Sequence, residues 1–178
     1  PWKPGRGLLT RVTLADNVVE GLVLRRTGNA GIFIRSTWSP TCGVPKSRPC
    51  RSFNRIHDTT IADNTIETRG TGVKLALYNG GDRAERVTVT GNTIRISGST
   101  DAGIEIEAGN DAGDDGTPAR ISDVLIARNS VEGSAGAGIS VGSGVQRAQG
   151  NLTQRVRVLD NRVHLVRRVC QAVAHAHR

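Results

Sequence analysis

A short pattern of alternating apolar residues around an asparagine recurs five times along the chain. The copies read VTLADNVV, TTIADNTI, VTVTGNTI, VLIARNSV and VRVLDNRV, centred on Asn17, Asn64, Asn92, Asn129 and Asn161. In each copy, apolar residues stand three positions before and two positions after the asparagine. This period of two is typical of strands with one buried face. Each copy therefore predicts strand structure that packs against a core.

A second pattern, a glycine followed by alternating apolar residues, comes after each of the first four asparagines. It reads GIFI, GVKL, GIEI and GISV, and it begins at Gly31, Gly72, Gly103 and Gly138. The repeating unit is therefore a strand, a turn, a glycine, a second strand and a connection. Successive asparagines are separated by 47, 28, 37 and 32 residues, which is the spacing of solenoid repeats rather than of hairpin meanders.

The asparagines are expected to form a column inside this repeat. Strands that recur in register stack on their own copies, about 4.8 Å apart, so equivalent side chains fall above one another. An amide both donates and accepts hydrogen bonds, so a column of amides can satisfy itself inside a turn. We therefore assign a structural role to all five asparagines.

These Asn-centred and Gly-led strands together resemble the right-handed parallel β-helix repeat of pectate lyases, polygalacturonases, alginate epimerases and lyases, and phage tailspikes. The resemblance covers residues 8–166 and implies an all-β, single-domain solenoid of about four to five turns within 1–178. It specifies the fold and not the activity. The GDD at 113–115 lacks the Gly-His-Gly and Arg-Ile-Lys motifs of polygalacturonases, and RPCR at 48–51 lacks the spacing of the pectate-lyase RxPxxR motif.

Both ends of the chain depart from the repeat. After Asn161 the apolar residues follow spacings of three and four, at Leu165, Val166, Val169, Cys170, Val173 and Ala174. This spacing predicts a helix that covers the open end of the coil, and a tail of 167–178 without native structure is the alternative. The start at PWKPGRG contains neither a Met nor a signal peptide, so we expect a mature region or a fragment of a longer protein.

Charge and composition narrow the range of partners. The net charge is +8, and 21 of the 24 basic residues are arginine. Arginine binds carboxylates and phosphates in a bidentate way, so an acidic polysaccharide is an expected partner, and a solvated basic surface is the alternative. Aromatic residues make up only 3% of the chain, and no nucleic-acid motif accompanies the arginines, so nucleic acid is not favoured. No apolar run is long enough for a membrane span.

Two of the longer connections carry a candidate cross-link and a candidate cation site. Cys42 and Cys50 end the Pro-rich segment CGVPKSRPC, and a disulfide between them would fit a secreted or cell-surface protein. Two free thiols are the alternative. The acidic segment NDAGDDGTP offers oxygen ligands suited to Ca²⁺, whereas its spacing matches no calcium motif and also fits a solvated loop. Its carboxylates are Asp111, Asp114 and Asp115.

The outward positions of the Gly-led strands give the sharpest functional prediction. Two residues past each glycine stand Phe33, Lys74, Glu105 and Ser140, and four past it stand Arg35, Ala76, Glu107 and Gly142. Period-two geometry places these side chains on one solvent-facing sheet. Lys74 and Glu105 would then lie within ion-pair reach, and Glu105 and Glu107 would project side by side with Cα atoms about 6.6 Å apart.

These side chains suggest chemistry on a polysaccharide. Paired carboxylates can act as acid and base on a glycosidic bond. A lysine can instead remove the proton beside a uronate carboxylate that Arg35 neutralises. The catalytic candidates of such a lyase, hydrolase or epimerase-like enzyme are Lys74, Glu105 and Glu107, and the substrate-binding candidates are Phe33, Arg35, Tyr78 and Asp101. The alternative is a non-catalytic structural, adhesion or spike module, in which the Lys74 pair is a surface ion pair worth less than about 1 kcal/mol.

A histidine and an aspartate stand next to each other at the start of the second Asn-centred strand. His57 and Asp58 have the chemistry of a base and its orienting carboxylate. Because adjacent residues in a strand point to opposite faces, we expect these two side chains not to meet.

Overall fold

The computed structural model describes residues 8–10, 13–15, 18–22, 30–36, 54–77, 81–97, 102–109, 118–133, 136–143 and 150–165. The regular structure in these ranges consists of short β-strands. In chain order they are β1 (Leu8–Thr10), β2 (Thr13–Ala15), β3 (Val18–Leu22), β4 (Ala30–Arg35), β5 (Arg55–Ala62), β6 (Thr65–Thr68), β7 (Thr71–Leu77), β8 (Arg83–Thr90), β9 (Thr93–Ile96), β10 (Ala102–Ala108), β11 (Arg120–Ala127), β12 (Ser130–Gly133), β13 (Ala137–Ser143), β14 (Leu152–Leu159) and β15 (Arg162–Leu165).

The strands form three parallel sheets, and consecutive strands of the chain join these sheets in a repeating order. Sheet 1 has the order β1-β5-β8-β11-β14, with β2 also paired to β5. Sheet 2 has the order β3-β6-β9-β12-β15, and sheet 3 has the order β4-β7-β10-β13. From β5 onward the chain passes from sheet 1 to sheet 2 to sheet 3 and then returns to sheet 1. The predicted unit of two strands is therefore wrong, because each Asn-centred pattern turns at its asparagine and forms two strands of different sheets. The all-β architecture and the stacking of repeats are thus confirmed, and they are compatible with a parallel β-solenoid.

Aliphatic side chains from all three sheets fill the core. They occupy the alternate positions that the apolar pattern predicts, and β-branched residues dominate because they pack well on stacked strands. Burying each such side chain contributes about 1.5–3 kcal/mol. The completely buried members include Ile61, Val87, Val89, Ile121 and Ile126 of sheet 1, Ile66 and Ile94 of sheet 2, and Val73, Leu75, Leu77 and Ile104 of sheet 3.

Four of the repeated asparagines form the predicted column where sheet 1 turns into sheet 2. The Asn64 amide donates to Asn92 Oδ1 over 2.8 Å, and the Asn92 amide donates to Asn129 Oδ1 over 2.9 Å. The Asn129 amide continues the column to Asn161 Oδ1, also over 2.9 Å. Each accepting oxygen also receives the backbone N–H of the asparagine before it. The column therefore links each pass of the chain to the next, while Asn17 lies outside the described residues.

A kink crosses sheet 1 six residues before each asparagine of the column. Asp58, Arg86, Asp123 and Arg155 have φ angles between 52° and 56°, a left-handed conformation that is costly for non-glycine residues. Charges of alternating sign accompany this kink. Arg86 binds the Asp58 carboxylate through Nε and Nη2 at 2.5 and 3.0 Å, and Arg155 binds Asp123 in the same way at 2.6 and 2.8 Å.

The kink brings His57 and Asp58 together. His57 Nδ1 lies 2.8 Å from Asp58 Oδ2, because the left-handed backbone at Asp58 interrupts the alternation of side chains. The expectation that these side chains do not meet is therefore wrong. Asp58 is shared between His57 and Arg86, so the pair belongs to the charged column of sheet 1.

Acid is expected to weaken this column. Hydrogen bonds from Arg86 and His57 lower the pKa of Asp58, and the hydrogen bond from Arg155 lowers the pKa of Asp123. A lowered carboxyl pKa contributes stability that is present above the ordinary value, about 3.9, and is lost as pH falls through the lowered value. We predict that Tm falls below about pH 4, and that Asp58→Asn combined with Asp123→Asn flattens this fall. Asp160→Asn is the control, and an equal effect of that variant would contradict the prediction.

Several predicted features lie outside the described residues. They are Asn17, Cys42, Cys50, Tyr78, Asp101, Asp111, Asp114, Asp115 and the predicted C-terminal helix beyond Leu165. These features stay predictions. Leu165 itself ends strand β15, so its assignment to the helix is wrong. The described part of the chain contains no helix with the length and apolar character that a membrane crossing requires.

Candidate functional site on sheet 3

Sheet 3 carries the two predicted rows of side chains on the face that points away from the core. In the first row, the register places Phe33, Lys74, Glu105 and Ser140 beside one another. In the second row it places Arg35, Ala76, Glu107 and Gly142 beside one another. The rows follow from the strand positions because every Gly-led strand keeps the same register relative to its glycine.

Lys74 lies between the two glutamates of β10. Its Nζ atom is 3.0 Å from Glu105 Oε1 and 3.6 Å from Glu107 Oε2. The Thr71 hydroxyl lies 3.4 Å from Glu105 Oε2 and donates to it. One ammonium and two carboxylates thus meet on neighbouring strands, and we refer to Lys74, Glu105 and Glu107 as the Lys74 cluster.

The Lys74 cluster is far less exposed than the sequence predicts. Strand β7 is buried along its whole length, on both of its faces, and Lys74 is only 7% exposed. The side chains of Glu105 and Glu107 are each 22% exposed. Salt screens an ion pair at this depth less than a surface pair, and its charges pay a larger desolvation cost. The interpretation as a solvated, solubilising ion pair is therefore wrong for these residues.

Burial raises the pKa of Glu107. Desolvation is the largest cause, the charge of Lys74 opposes it, and both the charge of Glu105 and a hydrogen bond with Glu105 add to the increase. A raised carboxyl pKa favours the protonated acid, so Glu107 is the candidate proton donor of the cluster. Lys74 pairs with both carboxylates, and its role as a base stays a prediction.

The two glutamates should differ in their effect on stability. Glu105→Gln weakens the closest partner of a buried ammonium, so we expect a loss of about 2 kcal/mol of unfolding free energy at neutral pH. Because its pKa is raised by folding, the ionised form of Glu107 does not stabilise the folded protein at neutral pH. Glu107→Gln should therefore change the free energy of unfolding by less than about 0.5 kcal/mol. Denaturant unfolding of both variants at pH 7 measures this difference. Equal losses, or a larger loss for Glu107→Gln, would contradict the assigned environments.

The strands beside the Lys74 cluster present different surfaces. On β4 the Arg35 guanidinium carbon lies 5.6 Å from the centre of the Phe33 ring, a cation–π distance. Arg35 is exposed, so its charge is accessible to an anionic group. On β13, Gly142 has open space where a Cβ atom would lie. The cluster is thus bordered by an aromatic ring and a cation on one side and by an open, small-residue strand on the other.

Two shallow depressions among the described residues lie away from the Lys74 cluster. One is on sheet 2 and is lined by Glu67, Arg95 and Glu132. The other is on sheet 1, beside Asp123 and Arg155. Paired charges line both depressions. Within the described ranges, no group of three His, Cys, Asp or Glu side chains is arranged to hold a metal ion.

Two charged columns on sheet 1 are absent from the sequence predictions. One is the alternating column six residues before each asparagine. The other consists of Arg55, Arg83 and Arg120, which stand nine residues before Asn64, Asn92 and Asn129 and are in register. Alignment of the repeats on their asparagines gives both columns, because each column keeps a constant distance from the asparagine.

Scanned against protein-family models, the sequence matches none, and comparisons with curated proteins and with solved structures also find no significant match. A functional assignment therefore depends on the chemistry and geometry of the side chains themselves.

Proposed function

We propose that the protein is a right-handed parallel β-helix that binds and cleaves a polysaccharide on the outer face of sheet 3, with Glu107 as the general acid. The observation that carries this proposal is the cluster itself, in which Glu105 and Glu107, each 22% exposed, lie 3.0 and 3.6 Å from the Lys74 Nζ atom. Burial in this cluster raises the pKa of Glu107. A carboxyl group with a raised pKa keeps its proton closer to neutral pH, which is what a general acid requires.

The cluster supplies the groups needed for glycoside hydrolysis. Glu107 gives its proton to the glycosidic oxygen as the bond between that oxygen and the anomeric carbon breaks. Glu105, as a carboxylate, stabilises the positive charge that develops on the sugar. Water then adds to the anomeric carbon and gives a proton to the Glu107 carboxylate, which restores the acid.

The neighbouring side chains suit a sugar chain that lies across the strands. The face of the Phe33 ring offers an apolar surface for a sugar, and the exposed Arg35 can bind a uronate carboxylate in a bidentate way. These features support an acidic or neutral glycan as the substrate class. Tyr78, Asp101, a Ca²⁺ ion at Asp111, Asp114 and Asp115, and a secreted or cell-surface location remain parts of the same proposal.

Turnover measurements test this proposal. Acidic and neutral glycans are screened for released reducing ends and for the ultraviolet absorbance of unsaturated uronates, which separates hydrolysis from elimination. Glu107→Gln should reduce the rate at least about 100-fold, because it removes the proton donor. Glu132→Gln on sheet 2 removes a glutamate outside the site that also pairs with a basic side chain, that of Arg95 at 3.8 Å. This control should retain activity, and equal activity of both variants would contradict the role of Glu107.

A non-catalytic β-helix module is the second candidate function. The observation that favours it is that Lys74 pairs with both carboxylates, so the cluster is satisfied without a substrate. On this alternative, no glycan is turned over, and any glycan binding depends on Phe33 and Arg35 and not on Glu107. Absence of turnover, together with binding that Arg35→Gln abolishes and Glu107→Gln leaves unchanged, would support the module over the enzyme.

A further inference from the structure

Three arginines form a column of like charge across sheet 1. Arg55 on β5 pairs in register with Arg83 on β8, and Arg83 pairs with Arg120 on β11. All three residues are exposed. Neighbouring strands lie about 4.8 Å apart, so the column places three guanidinium groups side by side along the direction in which the strands stack. Leu8 and Leu152 hold the register positions at its two ends, and the column is therefore three residues long.

The other charged columns of the molecule avoid such repulsion. At the kink of sheet 1 the sign alternates through Asp58, Arg86, Asp123 and Arg155, in bidentate pairs. On sheet 2 the register places Arg95 between two glutamates, Glu67 and Glu132. Like charges directly opposite each other destabilise a sheet. The arginine column thus lacks the alternation of positive and negative side chains seen in the other columns. A bound anion would offset the repulsion between its three guanidinium groups.

Acidic side chains close to the arginine column along the chain are engaged with other groups. Asp82, directly before Arg83, is completely buried and accepts the backbone N–H of Asn54 over 3.0 Å. Glu85, two residues beyond Arg83 on the same strand, lies 3.6 Å from Arg86 Nη1. Asp58 is bound by Arg86 and His57. None of the three arginines of the column forms an ion pair or hydrogen bond with another described residue. Their donors are therefore available to a ligand.

We propose that Arg55, Arg83 and Arg120 form a binding surface for an acidic polysaccharide whose carboxylates follow the column. Guanidinium groups bind carboxylates through two parallel N–H···O bonds, which gives direction as well as charge. A linear polymer with a carboxylate on successive sugars can meet several guanidinium groups at once, and this raises its affinity over that of a single uronate. The surface is on sheet 1, apart from the Lys74 cluster on sheet 3, and the inference does not depend on the proposed function.

The composition of this face favours a polysaccharide over a nucleic acid. Proteins that bind single-stranded nucleic acids stack the bases on aromatic side chains. The described outward positions near the column hold no aromatic residue other than the imidazole of His57, and the neighbours there include Thr60, Thr88 and Gln154. Polar side chains of this kind can hydrogen-bond to sugar hydroxyls.

Binding of a decasaccharide of galacturonate tests this surface, with its fully methyl-esterified form as the uncharged counterpart. The test variant carries Arg55→Gln, Arg83→Gln and Arg120→Gln. The control variant carries Arg69→Gln, Arg95→Gln and Arg162→Gln, which remove the same charge from exposed positions outside the column. We expect the test variant to bind the charged decasaccharide at least about tenfold more weakly than the wild type, and the control to change by less than about twofold. Any binding of the methyl ester should be the same in the test variant and in the wild type, because the arginine column recognises carboxylates.

Three results would overturn the proposal. They are equal losses in the two triple variants, no binding of the charged decasaccharide by the wild type, and tighter binding of a single-stranded DNA of equal charge. The first would mean that net charge alone attracts the polymer, and the third would assign the surface to nucleic acid. Thermal unfolding of each variant shows that it is folded, and the single variant Arg83→Gln should weaken binding in the same direction if a triple variant is unstable. Turnover at the Lys74 cluster is measured separately, so the two proposals can fail independently.

Discussion

Replacing Asn92 with alanine is expected to lower the free energy of unfolding by about 4 kcal/mol. Asn92 is completely buried and makes five hydrogen bonds through its side chain. Its oxygen accepts the backbone N–H and the amide of Asn64. Its amide donates to the carbonyl groups of Ile61 and Thr90 and to Asn129 Oδ1. Alanine would leave several of these buried groups without partners, and each such group costs about 1–3 kcal/mol.

Asn161→Ala is the matched control for this loss. Asn161 belongs to the same column, but it lies at the last described pass and is only half-buried, so water can replace part of its hydrogen bonding. We expect a cost of about 1 kcal/mol there. Urea unfolding of both variants at pH 7 measures the difference. Equal costs at the two positions would contradict the role of the column as a buried link between passes.

Replacing Gly72 with alanine is expected to cost about 3 kcal/mol, the second large effect. A Cβ atom at this position would overlap Ile94 Cγ2 and would lie 2.6 Å from the carbonyl oxygen of Gly103. One obstacle is buried core and the other is backbone, so neither can move freely. The same close approach occurs at Gly31, Gly103 and Gly138, and this explains why the second residue of each strand of sheet 3 is a glycine.

Gly142→Ala provides the comparison for Gly72. Gly142 also lies on sheet 3, but no atom lies within 4 Å of the position that its Cβ would occupy. We expect a neutral or slightly stabilising effect, because alanine reduces the freedom of the unfolded chain by up to about 1 kcal/mol. Thermal unfolding distinguishes the two glycines. Equal melting temperatures of the Gly72→Ala and Gly142→Ala variants would contradict the close packing of sheet 2 against sheet 3 at Gly72.

The sequence was sufficient to predict the stacking of the repeats. The asparagine pattern and the glycine pattern keep constant distances from the strands around them, so one alignment gives the register in which equivalent residues stack. The division of each Asn-centred pattern into two strands, and hence the third sheet, was not predicted. That register correctly placed Lys74 beside Glu105 and predicted the hydrogen-bonded column from Asn64 to Asn161. Local repetition carries this information because a solenoid places equivalent residues of successive repeats next to each other.

Other features depend on interactions that a repeat alignment alone does not contain. The left-handed conformation of Asp58 places it beside His57, and apolar alternation gives no sign of such a kink. The burial of Lys74 depends on what surrounds β7, and so does the raised pKa of Glu107. Both charged columns of sheet 1 can be found in the sequence. They emerge when the repeats are aligned on their asparagines and the positions outside the apolar pattern are compared.

The central claim is that the repeat brings Lys74, Glu105 and Glu107 into one half-buried cluster. Titration of the Glu107 carboxyl carbon by ¹³C NMR, in the wild type and in two variants, tests it most directly. We predict a pKa of Glu107 above the ordinary glutamate value in the wild type, a further increase in Lys74→Met and a decrease in Glu105→Gln, because Lys74 lowers this pKa and Glu105 raises it. A Glu107 that titrates at the ordinary value and responds to neither substitution would contradict the cluster.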